Sequence, residues 1–372
     1  MQRFQTPSPR LRLLSLVALI AAAAMTAGAA EPTVGSLSTI TQLASTVPAN
    51  GDVNPYGVAL VPKTQGNLVR GQFLISNFNS VANLQGTGTT IVQIAPDGSS
   101  MTTFAQIDPT KVSCPGGIGL TTALVVLRSG YVIVGSLPTT DGTAATAAAG
   151  CLIVLNPWGK VVETFSGHNI NGPWDMTAVD GDFIAALFVT NVLNGTVAAG
   201  GNVVNRGTVV RLLLFIPPDG PPQIIDDTVI ARGFPERTDP AAMVIGPTGV
   251  AFDFNSGILY VADSLNNRIA AVPDALFRWF PFDGGFTVTH GGALNDPLGI
   301  ALTPDGRRLI AANGDDGNLV EIDVASGKQI SRKLVDNTGG PPPGSGALFG
   351  LFATEDSVFF VDDASNTFNL LH

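Results

Sequence analysis

Few side chains in this chain of 372 residues have the type and spacing for chemistry. Of its three histidines, His168 and His290 stand in the body of the chain, each a few residues ahead of a proline, Pro173 or Pro297. Histidine is the commonest metal ligand and general base. Short oxygen-bearing side chains recur at Asn77, Ser136, Asn191, Asp263, Asn313 and Asp363. A ring of such groups suits Ca²⁺ or a related hard divalent cation. Asp175 follows Trp174, which places a carboxylate beside a flat apolar wall. Cys114 and Cys151 are the only cysteines, and an even count invites a disulfide. Serine nucleophiles have no support, because no G-x-S-x-G occurs and Gly344-Ser345-Gly346 lies in a Pro/Gly linker. Gly86-Thr87-Gly88 and Gly116-Gly117-Ile118-Gly119 precede strand patterns rather than helices, which excludes a dinucleotide cradle.

The elements that must hold these residues are repeats. Residues 248–263 read TGVAFDFNSGILYVAD and residues 298–313 read LGIALTPDGRRLIAAN. Each is a short apolar strand, a turn, a second strand, and then Asp or Asn. Weaker copies occupy 56–77, 118–136, 174–191 and 349–363. Aligning the six puts Gly57, Gly119, Asp175, Gly249, Gly299 and Gly350 at one position. Third strands follow at 89–95, 151–155, 207–215 and 317–324, and fourth strands at 101–107, 160–165, 222–230 and 328–335. Four strands in each of six repeats predict an all-β, six-bladed β-propeller. The sixth repeat ends one strand short at His372, and residues 36–47 alternate like a strand. An N-terminal strand is therefore expected to close the last blade and remove an exposed edge.

Composition fixes the class. Charged residues make only 13%, hydrophobic residues 45%, and Gly and Pro number 43 and 26, which excludes a disordered or coiled-coil chain. Against 29 acidic residues stand 19 basic ones, with no basic stripe, so nucleic acid is not an expected partner. Arg3, Arg10 and Arg12 precede an apolar run from Leu13 to Met25 that ends in small residues. This reads as a signal peptide over 1–30, with 31–372 as one exported domain, periplasmic or secreted. No cysteine follows the run to carry a lipid. No other stretch is apolar for the length of a span, so the mature chain is not expected to be an integral membrane protein.

The stretch GPTGVAFDFNSGILYVADSLNNRI at 246–269, and more loosely DPLGIALTPDGRRLIAANGDDGNLVEID at 296–323, resembles the NHL-repeat family. The resemblance implies a six-bladed propeller without implying one activity. Similar propellers include binding platforms, SMP-30-type gluconolactonases, which hold a metal through Glu, Asn and Asp from separate blades, and peptidyl-hydroxyglycine lyases, which use several His at zinc. In this chain no Glu stands at a channel-facing strand start, and the histidines are few.

On the repeat register the strand-end residues Asn77, Ser136, Asn191, Asp263, Asn313 and Asp363 ring one mouth of the channel, with Asp175 close to the axis. Asp175 then shares a cation with Asp263 and Asp363, meets donors of a ligand beneath loop 192–206, or bonds local backbone amides. Loops 78–88, 137–150 and 192–206 are long and nearly uncharged, and are expected to wall a groove beside that mouth. His168 and His290 are expected in blade linkers on the same face. Cys114 and Cys151 meet there as a disulfide enclosing 36 residues. The aromatic run Pro273–Phe282 reads as a short helix outside blade 4 that is expected to pack on the blade, or alternatively to expose an aromatic partner surface. The function so read is a binding module for a protein, glycan or small molecule, or alternatively a metal-assisted lactonase-like hydrolase or lyase.

Overall fold

Apolar runs of five to eight residues separated by Gly- and Pro-bearing turns give short strands, and these pair with their sequence neighbours. The computed structural model describes residues 33–240 and 242–372. The segment 1–30, read above as a signal peptide, lies outside them. The residues described form one unit containing six small sheets, antiparallel but for a short parallel pairing in the third.

The inner strands of blades 1 to 6 are Val53–Leu60, Leu120–Val126, Pro173–Asp180, Pro247–Phe252, Pro297–Leu302 and Leu348–Ala353. Each pairs with a second strand that runs back outward, so its start lies against the end of its neighbour: Pro55 opposes Asn77, and Pro297 opposes Asn313. The last sheet holds Leu348–Ala353, Val358–Asp362, Thr367–Leu371 and the N-terminal strand Ile40–Ser45. Ile40 pairs with Leu371 and Ser45 with Thr367. The ring is thus closed by the strand expected to close it. Buried Val, Ile, Leu and Phe between successive blades form the core.

Cys114 and Cys151 form the expected disulfide, with Cα atoms 5.4 Å apart. It ties the linker entering blade 2 to the start of that blade's third strand, Cys151–Leu155.

Three register assignments change. In blade 2, Leu124 opposes Val134, as Val58 opposes Ile75 in blade 1. Ala123, not Gly119, therefore takes the shared inner position, and residues 119–122 are an excursion before it. In blade 6, Leu348 opposes Asp362, so Asp362 and not Asp363 is the strand-end residue. His290 is the last residue of the outer strand Phe286–His290 and does not lie in a linker.

The largest departure is in blade 3. Its third strand runs Val204–Phe215 and its outer strand Gln223–Asp239. The outer strand overruns the sheet, and Arg237 and Asp239 pair with Ile245 and Met243 of a returning strand, Met243–Ile245. This hairpin leads directly into blade 4.

Candidate functional site

In every sheet the inner strand is an edge, so its free N–H and C=O groups face the channel. Unpaired edge groups are strong hydrogen-bonding sites. The six strands come closest at a collar formed by Gly57, Ala123, Asp175, Gly249, Gly299 and Gly350. Here glycine answers a close approach. A Cβ on Gly249 would lie 2.5 Å from the Leu298 carbonyl oxygen of the next blade, and one on Gly57 would lie 2.9 Å from the Thr122 carbonyl oxygen.

Asp175 breaks the glycine pattern and uses the same crowding. One carboxylate oxygen accepts from the Met176 amide at 2.8 Å, and the other accepts from the Val250 amide of blade 4 at 2.9 Å. Its own amide donates to Thr190 Oγ1. Burial pushes the Asp175 carboxyl up to about 7, against the pull of those two amides. Of the alternatives open in the sequence, backbone bonding is the one present, although one of the amides belongs to the neighbouring blade.

Above the collar, toward the long loops, the channel is filled. Tyr56 stacks on Phe349 with centroids 3.9 Å apart and on Phe78 at 4.5 Å. Trp174, only 2% exposed, donates its indole N–H to the Val244 carbonyl oxygen at 2.9 Å. Ala242, Met243, Val244 and Ile245 of the blade-3 hairpin bury themselves on this cluster, joined by Ala144, Ala147 and Leu193 of the long loops. Gln85 of the first long loop donates to the Pro240 carbonyl oxygen. The loops therefore help to close the channel at that mouth, and Trp174 faces this plug. An element whose length the sequence pattern did not reveal stands where the site was expected.

The strand-end residues serve the frame. Asn77 Nδ2 donates to the Thr46 carbonyl oxygen, Asn313 Nδ2 donates to the Ala293 carbonyl oxygen, and Asn191 Oδ1 accepts from the Asn171 amide. Each bond ties a second strand to a blade linker. Asp263 pairs with Arg268 at 2.7 Å and accepts from Asn266. Asp363 is pushed up to about 8 by burial and by Asp362. Among the described residues no three His, Cys, Asp or Glu side chains gather closely enough to hold a metal ion. Asp175 and Asp263, expected to share a cation with Asp363, are engaged separately, Asp175 by two backbone amides and Asp263 by Arg268. His168 Nδ1 lies 2.6 Å from Asp227 Oδ2 on the rim of blade 3, and His290 is exposed on blade 4. Neither lines the channel.

Below the collar the channel opens on the opposite face, with a volume of about 430 Å³. Its wall includes Val58, Leu124, Met176, Val250, Ile300 and Leu351, all apolar. Asp175 is the carboxyl at the inner end, and Arg128 and Asp180 stand at the far ends of the inner strands. The Arg128 amide donates to Asp180 Oδ2. The repeats pointed to this end only through Asp175, the one charged residue at the shared collar position.

No protein-family model matches the chain, and none of the curated proteins matches its sequence. Solved structures do. A gluconolactonase of Xanthomonas campestris is 14% identical with a TM-score of 0.50, covering 89% of this chain and 88% of its own. The PQQ-bound aldose sugar dehydrogenase of Streptomyces coelicolor is 15% identical with a TM-score of 0.50, covering 90% and 98%. A luciferin-regenerating enzyme is 11% identical with a TM-score of 0.51, covering 90% and 95%. Likeness at this identity shows the propeller fold and nothing of the chemistry. Among the described residues no helix is long and apolar enough to cross a membrane.

Proposed function

We propose that this chain is an exported, NHL-like propeller that binds a small, mainly apolar molecule in the channel opening opposite the long loops. The observation that carries the reading is a single buried carboxyl, Asp175, at the inner end of a passage of about 430 Å³ whose lining side chains are mostly apolar. That volume lies within the range of small-molecule sites. The lining residue with a cationic side chain, Arg128, lies at the other end of the passage. The polar end of the ligand is then a hydrogen-bond donor, an amine or a hydroxyl, that reaches Asp175 while its tail lies along Leu124, Ile300 and Leu351. Export rests on the N-terminal segment, and the Cys114–Cys151 bridge suits the oxidising compartment that export reaches.

The test is a calorimetric titration with hexylamine, hexanol and hexanoate. Hexylamine and hexanol should bind and hexanoate should not, and Asp175→Asn should weaken hexylamine about tenfold, the equivalent of ~1.4 kcal/mol. Equal binding of all three, or indifference to Asp175→Asn, would sink the reading.

A further inference from the structure

The aromatic run Pro273–Phe282 forms no helix and packs on the blades only through Ala275 and Leu276, which join the core between blades 3 and 4. Phe277, Trp279 and Phe280 are 78%, 68% and 80% exposed. The run is nevertheless held firmly. Arg211 is buried and donates through Nη1 to the carbonyl oxygens of Leu276 and Arg278. Arg278 Nε donates to the Pro273 carbonyl oxygen, and Phe282 pairs with Ala231 of the outer strand of blade 3. A buried cation and a strand pairing thus present three aromatic rings to water.

These rings belong to a wider pattern. Inner and third strands run toward the open end of the channel, so the turns that follow them stand on the open face. Turns after inner strands carry Phe183 in blade 3 and Phe254 in blade 4, both exposed. Turns after third strands carry the exposed Trp158 in blade 2 and the run 273–282 in blade 4. Among the described residues the three long loops at the sealed end expose no aromatic side chain. Phe254 lines the passage, Phe277 and Trp279 line a groove of about 420 Å³, and Asp180 belongs to both linings. The aromatic turns therefore adjoin the open mouth.

Three features select the partner. Rings this exposed, set on turns of separate blades, make scattered contacts that a fluid apolar medium meets without matching a shape, and Trp and Phe seat well in the headgroup–acyl boundary of a bilayer. The closing strand also enters from this end. Thr39 and His372 bond each other's backbone where the third strand of blade 6 finishes, and the apolar segment read as an export signal precedes residue 33. The domain is thus joined at its open end to the segment that carries the chain to a membrane. Finally, Asp182 and Asp274 stand exposed among the rings. They repel an anionic headgroup and leave a zwitterionic one.

We infer that the open face docks on a zwitterionic lipid bilayer, with Phe254, Phe277, Trp279 and Phe280 seated in the headgroup region. The docking does not depend on the channel reading, yet it suits that reading. An amphiphile in a bilayer turns its polar end outward and so meets the passage polar end first.

The experiment is flotation of the processed chain, without residues 1–30, with phosphatidylcholine vesicles, so that the apolar signal cannot supply the binding. Flotation is expected with phosphatidylcholine alone, unmoved by salt, and weaker as phosphatidylglycerol replaces it. Trp279→Ser with Phe280→Ser changes exposed residues and should lower partitioning by about tenfold or more, while the melting temperature and hexylamine binding hold. Val81→Ser, an exposed apolar residue at the sealed end, should leave partitioning unchanged. Flotation that requires phosphatidylglycerol, partitioning unmoved by the double substitution, or self-association of the chain in place of flotation would overturn the docking. Hexylamine binding without flotation would overturn it too and leave the channel reading standing.

Discussion

The two ends of the channel are built from the same six inner strands, yet one is sealed and the other open. At the sealed end the strand starts carry Tyr56, Trp174, Leu298 and Phe349, and the blade-3 hairpin lies across them. At the open end the same strands finish with Leu60, Asp180, Leu302 and Ala353 around a passage. The difference arises from one overlong strand, Gln223–Asp239, and the three-residue strand that returns from it. A propeller's blades thus fix where a site can exist, and its loops decide which end is used.

The largest effect should come from breaking the seal. Phe349→Ala removes a fully buried ring stacked on Tyr56. It should cost ~3–5 kcal/mol in denaturant unfolding. A comparable truncation at the open end, Leu60→Ala, should cost less than ~1 kcal/mol because Leu60 is already exposed. Equal losses at the two ends would erase the contrast.

Next comes the disulfide. Cys114→Ser with Cys151→Ser should lower stability by ~2–4 kcal/mol, read from the same unfolding curves. Binding at the open end should survive in the folded variant, since neither cysteine lines the passage.

The collar divides the two ends and can be tested by a single methyl group. Gly249→Ala should cost ~1–3 kcal/mol, because its Cβ would press on the Leu298 carbonyl oxygen. A variant as stable as the parent would show that the inner strands are not in close contact there.

The ends also differ in charge, and this gives the most diagnostic effect. Burial pushes Asp296 and Glu236 up to about 7 and Asp363 to about 8 near the sealed end, and Asp175 up to about 7 at the collar. Each carboxyl keeps its proton in the folded chain at a pH where the unfolded chain has lost it. Stability from these groups is full below about pH 4 and should fall as pH rises from there through about 7 to 8. Asp175→Asn should make that slope shallower. A melting temperature that rises from pH 5 to pH 8 would contradict the placement of these groups.

Much of this fold was readable because its cause is local. Gly249 and Gly299 sit at one register position in clear repeats, and 36–47 alternates, so six blades and the closing strand follow from pattern alone. Cys114 and Cys151 were paired by the same register. What the pattern missed depends on crowding in three dimensions. The excursion at 119–122 shifted the collar from Gly119 to Ala123, and two adjacent aspartates hid which of Asp362 and Asp363 ends the strand. Asp175 was visible as the exception to a glycine rule. That it faces the passage from below, while Trp174 beside it faces the plug, follows from strand alternation combined with a hairpin whose continuation past residue 230 carries no periodic signal. At the aromatic run 273–282 the preferred reading, packing on the blade, holds only for Ala275 and Leu276, and the exposed patch kept as the alternative is what Phe277, Trp279 and Phe280 form.

The central claim is that ligand enters at the end opposite the long loops and meets Asp175 from that side. Anomalous diffraction from a crystal soaked in a bromoalkylamine tests it most directly. The account predicts bromine within the passage between Ile300, Leu351 and the Arg128 rim, with the amine beside Asp175. Bromine on the other side of the Tyr56–Phe349–Trp174 plug, among loops 78–88, 137–150 and 192–206, would contradict it.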